Sequence, residues 1–139
     1  MADTVLNTTV FDGTKKLITH YNVVGDGTGN TTKIVDVSAL EKSASSTGNG
    51  KTCTRVKLIK VDFNVSVTAP ADGIRLAWDA TTDVVFQTLA GEMSFDYSAF
   101  GGLRNTNAAG VTGDVNLTLP PHTSGDTATV VCTWLKQYD

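Results

Sequence analysis

From Ile59 onward, Val61, Phe63, Val65 and Val67 alternate with Lys60, Asp62, Asn64 and Ser66. This is the period-two signature of a strand with one buried and one wet face. Upstream, Val56 and Leu58 carry the apolar phase and Arg55 and Lys57 the polar one, so the apolar set changes parity between Leu58 and Ile59. A β-bulge there absorbs the extra residue and bends the strand, as happens where strands pass between sheets. Runs of Val, Ile, Thr and aromatic residues between Gly, Pro, Asn and Asp clusters predict nine strands, near 4–11, 15–24, 31–38, 53–68, 73–79, 83–89, 93–97, 112–119 and 127–136. The one helix candidate is 38–46, SALEKSASS. Short strands at this spacing, without intervening helical periodicity, predict a single all-β domain over 1–139, an antiparallel β-sandwich or jelly roll, with 1–11 as an N-terminal arm or first strand.

Within that frame, Pro70 and the turn Ala71-Asp72-Gly73 separate 53–68 from a run in which Ile74, Leu76 and Trp78 alternate with Arg75, Ala77 and Asp79. The pair reads as a hairpin. In the last strand Ala128, Val130, Cys132 and Trp134 share one face, while Val131 and Leu135 make the other partly apolar, which predicts a central or covered strand. Two segments depart from strand grammar. EKSASSTGNGKT, 41–52, has the composition of a surface loop. SAFGGLRNTNAAGVTG, 98–113, is also Gly- and Asn-rich but carries Phe100, Leu103 and Arg104, whose apolar members must fold back on the core or be covered by another molecule.

Composition supports the same class. There are 22 Thr and 16 Val against two Glu, which favours pleated surfaces over helices. A net charge of −3 and a pI near 5.2 argue against nucleic acid as a partner, since that affinity needs concentrated Lys and Arg. No apolar run reaches the length of a membrane helix, and MADTVLNTTVFDG has neither a basic nor an apolar leader region, so a soluble, unprocessed chain is expected.

The chemistry-bearing residues do not assemble into a catalytic pattern. Cys53 shares parity with Arg55 and Lys57, and Cys132 with Val130 and Trp134, so two free thiols are expected. His20 falls mid-strand and His122 follows Pro120-Pro121 in a turn, where it reads as solvated; neither has ligands at zinc spacing. Gly25-Asp26-Gly27-Thr28-Gly29-Asn30 superficially suggests a cation loop, but Thr28, Thr31 and Val37 stand where an EF-hand needs an oxygen ligand, a Gly and a Glu; turn chemistry explains it. Paired acids such as Asp79 and Asp83, or Glu92 and Asp96, lie at strand ends. No catalytic, cofactor or metal residue is assigned.

The Met-Ala-Asp start without a leader, the Thr/Val/Gly-rich β domain, the run IRLAWDATTDVVFQTLAGEMSFDY, the AFGGLRN loop and the ending after Tyr138 resemble small virion structural proteins of tailed bacteriophages. Within that group the chain is most similar to capsid decoration, or cement, proteins with a β-sandwich or jelly-roll fold, over about residues 33–139. The resemblance implies a non-enzymatic protein without cofactors, made in the host cytoplasm and located on the capsid exterior. Its implied partners are the major capsid protein and itself, often as a homotrimer, with neither nucleic acid nor membrane. For the contact surface, mobile backbone combined with apolar side chains selects Val5, Leu6, Val10 and Phe11 in the first segment and Phe100 and Leu103 in the loop, with Arg104 as a charged contact. Two alternatives share the composition. One is a carbohydrate- or receptor-binding sandwich, with Trp78 and Trp134 as its stacking candidates although both fall in apolar strand phase. The other is a neck or head–tail connector component, differing only in symmetry.

Overall fold

The computed structural model describes residues 3–40, 42, 50–105, 110 and 112–138. All nine strands form: β1 Thr4–Asp12, β2 Lys16–Val24, β3 Asn30–Val35, β4 Arg55–Ser66, β5 Ile74–Trp78, β6 Val84–Leu89, β7 Gly91–Asp96, β8 Val115–Leu119 and β9 Thr127–Gln137. They make two antiparallel sheets, ordered β1-β2-β9-β4-β7 and β3-β8-β5-β6. Apart from β1, this is the eight-strand, double Greek-key order of a jelly roll, so the chain is an all-β sandwich. The predicted helix falls mostly outside the described residues; what is visible there is a single 3-10 turn, Val37–Ala39, capped by the Asp36 carboxylate accepting from Ser38 N–H.

The parity change in the fourth strand is a bulge. Pairing with β9 runs Leu58 to Trp134 and then Lys60 to Thr133, skipping Ile59. β4 nevertheless stays in one sheet. The bulge instead marks where its other neighbour changes, from Leu103 at Leu58 to β7 from Lys60 onward. The expected hairpin between 53–68 and 73–79 does not form, because β5 belongs to the opposite sheet and pairs with β6 and β8. Alternation reports which face is buried, not which strand lies alongside, and the link from Val67 to Gly73 is long enough to cross the ~10 Å between packed sheets. It contains a cis Ala69–Pro70 bond.

The inner faces supply the core. Leu17, Tyr21 and Val23 of β2, with Val130, Cys132 and Trp134 of β9, face Leu76 and Trp78 of β5 and Leu117 and Leu119 of β8, all buried. β9 is central, between β2 and β4, as its two-sided apolar pattern predicts. Trp134 Nε1–H donates to Thr19 Oγ1 at 3.0 Å, so its one polar atom is satisfied inside the sandwich. Trp78 stacks on Phe86 with centroids 3.8 Å apart. Both cysteines are free and buried, and burial raises both thiol pKa values. Cys53 is thus more enclosed than its parity with Arg55 and Lys57 suggests; its Sγ donates to Arg55 O.

Candidate interaction surface

β1 is an edge of the five-stranded sheet and touches the other sheet only lightly. Among the described residues its only partner strand is β2, with a bulge at Val10. Contact with β3 is slight, marked by Asn7 Nδ2 donating to Lys33 O at 3.0 Å. Every residue from Thr4 to Phe11 is exposed, with Val5 at 36%, Leu6 at 51%, Val10 at 59% and Phe11 at 50%. Leu6, Thr8 and Phe11 stand opposite Asn22, His20 and Ile18, on the outer sheet face; Val5, Asn7 and Thr9 stand opposite Val23, Tyr21 and Thr19, on the inner one.

The ends of this exposed strand are fixed by acidic side chains. Asp3, whose side chain is 2% exposed, accepts from Asp26 N–H at 2.7 Å and from Asn30 Nδ2 at 2.6 Å, and lies 3.7 Å from His122 Nε2. His122 is buried, contrary to its reading as a solvated turn residue: Nδ1 donates to Pro120 O at 2.9 Å and Nε2 accepts from Gly27 N–H at 3.2 Å. The ring occupies the space beside Gly25, where a Cβ would come within 1.7 Å of Nε2. At the other end Asp12 pairs with the ammonium of Lys136, a side chain wholly removed from solvent, which also donates to Gly13 O at 2.6 Å. Residues 4–11 are therefore a strand held taut between two anchors rather than a loose arm.

The second candidate segment sits at the far edge of the same sheet. After β7, Ser98–Phe100 form a 3-10 turn closed by Gly101. Leu103 then exchanges both backbone hydrogen bonds with Leu58, at 2.9 and 3.0 Å. Gly102 permits this approach: its φ is +100°, and a Cβ would lie 2.7 Å from Ile59 Cδ1. Leu103 is half-buried against the core, whereas Phe100 is 65% exposed and Arg104 is exposed. Phe100 ends an aromatic row running outward from the core through Phe63, Phe95 and Tyr97, with successive centroids 5.5, 6.2 and 5.9 Å apart. Tyr97 OH donates to Gln87 Oε1 at 2.6 Å, tying the row to β6. The structure thus separates the candidates into two groups, Val5, Leu6, Val10 and Phe11 at one edge and Phe100, Leu103 and Arg104 at the other. Three strands lie between them, a span of about 19 Å at ordinary strand spacing.

Between the edges, the outer face of β4, β7 and β9 forms an open 480 Å³ groove lined in part by Asp62, Asn64, Glu92, Ser94, Thr129 and Val131. Neither tryptophan reaches it, Trp78 being 4% and Trp134 0% exposed, so the sugar-stacking candidates are core residues. Among the described residues no cluster of His, Cys, Asp or Glu suits a metal ion, and no helix is long and apolar enough to cross a membrane. No family model, curated protein or solved structure matches the chain.

The acids of the loops act as turn locks. Asp26 accepts from both the hydroxyl and the N–H of Thr28, which lowers its carboxyl to about 2. Asp79 accepts from Thr112 Oγ1 and Asn116 Nδ2, and its pKa is lowered chiefly by the Thr112 hydroxyl. Asp126 joins the β4–β5 and β8–β9 links by accepting from Thr68 N–H at 2.7 Å and Thr123 N–H at 3.1 Å, and the Thr68 bond leads in lowering its pKa. In the unfolded chain these carboxyls return to the ordinary value of 3.8. The folded state then binds fewer protons, so their contribution is complete above that value and is lost as pH falls through the lower folded values. We expect the urea midpoint to fall between pH 5 and pH 3, and to fall less in Asp126→Asn; an equal fall in both proteins would remove Asp126 from that account.

Proposed function

We propose that this chain is a non-enzymatic virion structural protein that decorates and stabilises a bacteriophage capsid by binding across neighbouring capsid subunits. The observation that carries it is the placement of the two apolar contact segments on opposite edges of one rigid sheet. Groups some 19 Å apart and facing away from each other meet different neighbours more readily than one pocket of a single partner. The preordered β1 also suits this role, since a strand already fixed at both ends loses little conformational freedom on docking. The jelly roll adds a fold-level analogy, as the same architecture recurs in capsid domains and lectins. A ligand that binds only the assembled shell stabilises it by mass action, about 2.7 kcal/mol per site at a hundredfold excess over Kd.

The test mixes purified protein with expanded capsid shells lacking it and measures occupancy. Leu6→Ser with Phe11→Ser, and separately Phe100→Ser, alter exposed positions and leave folding intact. Bridging predicts that each edge alone lowers affinity by about tenfold or more, because anchors of this kind each contribute over 1 kcal/mol. Full occupancy by both variants would overturn the proposal.

A further inference from the structure

β1 has a property that exposure alone does not require. Its order is Thr4, Val5, Leu6, Asn7, Thr8, Thr9, Val10, Phe11, Asp12. Taken outward from Thr8 in either direction, polar and apolar positions follow in the same sequence: Asn7 mirrors Thr9, Leu6 mirrors Val10, Val5 mirrors Phe11 and Thr4 mirrors Asp12. Two identical strands laid antiparallel about a twofold axis through Thr8 therefore match Asn7 with Thr9 and Leu6 with Val10, the self-complementarity that an isologous interface demands, whereas beyond the bulge Val5 and Phe11 fall on opposite sheet faces. The pairing also respects the sheet faces where the strand is regular. Leu6 and Thr8 are on the outer face and Asn7 and Thr9 on the inner, while the bulge at Val10 shifts Phe11 to the outer side.

The edge is open to such a partner. Among the described residues only β2 pairs with β1, and β1 is the longest of the four edge strands. Natural edges are commonly guarded by charge or proline. β7 carries Glu92 and Asp96 and β3 carries Lys33, whereas Thr4 to Phe11, like the shorter β6, contains neither a charged residue nor a proline. The flanking acids do not oppose a second copy, because Asp3 is turned into its own chain and Asp12 is paired with Lys136.

We propose that two copies of this chain pair antiparallel through the open edges of β1, with Thr8 on the twofold axis, joining two five-stranded sheets into one continuous sheet. Leu6 of each copy lies opposite Val10 of the other. Pairing takes up the backbone edge of β1 and leaves the outer sheet face, with Leu6 and Phe11, for any capsid contact; a dimer that leaves shells bare keeps this inference and removes the other proposal.

Sedimentation equilibrium of the full chain at micromolar concentrations should return twice 14.6 kDa. Thr8→Lys sets two ammonium groups opposite each other at the axis and should raise the dimer Kd about tenfold or more, while the urea midpoint measured below the dimer Kd stays unchanged. Register is read by thiol cross-linking, since cross-strand Cα atoms about 4.5–5.5 Å apart are within disulfide reach and the native Cys53 and Cys132 are buried. Thr8→Cys should cross-link to itself; Leu6→Cys and Val10→Cys should cross-link when mixed but not alone. Thr88→Cys, exposed on β6, should not. A monomer or trimer mass, a dimer indifferent to Thr8→Lys, or Leu6→Cys cross-linking chiefly to itself would each overturn the proposal.

Discussion

Trp134→Ala is expected to lower stability by about 4 kcal/mol, within the range for truncating a buried aromatic residue. The ring is 0% exposed at the centre of the larger sheet, between Leu17 on β2 and Leu58 on β4 in register, so the sheet backbones on both sides prevent the cavity from closing. The change also removes the indole N–H that Thr19 Oγ1 accepts, leaving a hydroxyl at 3% exposure without that donor. Against a typical domain stability of about 5–15 kcal/mol, such a loss leaves a measurable unfolded population in water. Thr19→Val provides the graded comparison: it keeps the ring but strands the N–H, at an expected cost of about 1–2 kcal/mol. Urea unfolding followed by fluorescence for Thr19→Val and by circular dichroism for Trp134→Ala checks both. Equal midpoints for the two variants would mean that the hydrogen bond, not the packing, dominates at this position.

The burial of Trp134 was legible because strand phase is a local property. Val130, Cys132 and Trp134 alternate with Val131, Thr133 and Leu135, and no knowledge of the partner strands is needed to put the first set inside. The bulge at Ile59 was legible for the same reason. Partnership is not local, and there the pattern misleads: Ile74, Leu76 and Trp78 alternate equally well beside β4 or in the opposite sheet, and only the crossover decides. His122 follows two prolines, a composition that signals a turn but not that the turn folds onto Gly25. For the contact surface, Val5, Leu6, Val10 and Phe11 announce themselves as apolar, yet ordinary strand logic would bury half of them. Their exposure follows from β1 being the edge of a five-stranded sheet packed on a four-stranded one, with only slight cover from β3, and that depends on how many strands each sheet contains. The anchors were beyond local reading too. Asp3 reaches residues 23 and 27 positions away, and Asp12 meets Lys136 across 124. One signal was present: Lys136 continues the apolar phase of Val130, Cys132 and Trp134, so parity alone places a lysine on the inner face.

That buried lysine leads to an unequal pair of mutational effects. Asp12→Ala is expected to cost about 3 kcal/mol, because it takes the opposing charge from an ammonium that the fold has already removed from water. Lys136→Met is expected to cost about 1 kcal/mol or less, since a thioether chain of similar length fills the same inner-face position without a buried charge. The carboxylate it leaves behind is still 24% exposed and can be hydrated, whereas the Lys136 side chain is 0% exposed. Burial, then, not the attraction between the two groups, decides which partner is costly to remove. Urea midpoints should rank wild type at or slightly above Lys136→Met, and both well above Asp12→Ala. The same contrast extends to β1, whose C-terminal end loses its anchor in either variant. Amide hydrogen exchange in Thr4–Asp12 should therefore accelerate in both proteins, while the β9 amides accelerate in Asp12→Ala alone. If Lys136→Met proved as destabilising as Asp12→Ala, the ion pair itself, and not the burial of the ammonium, would be the source of stability at this end of the sandwich.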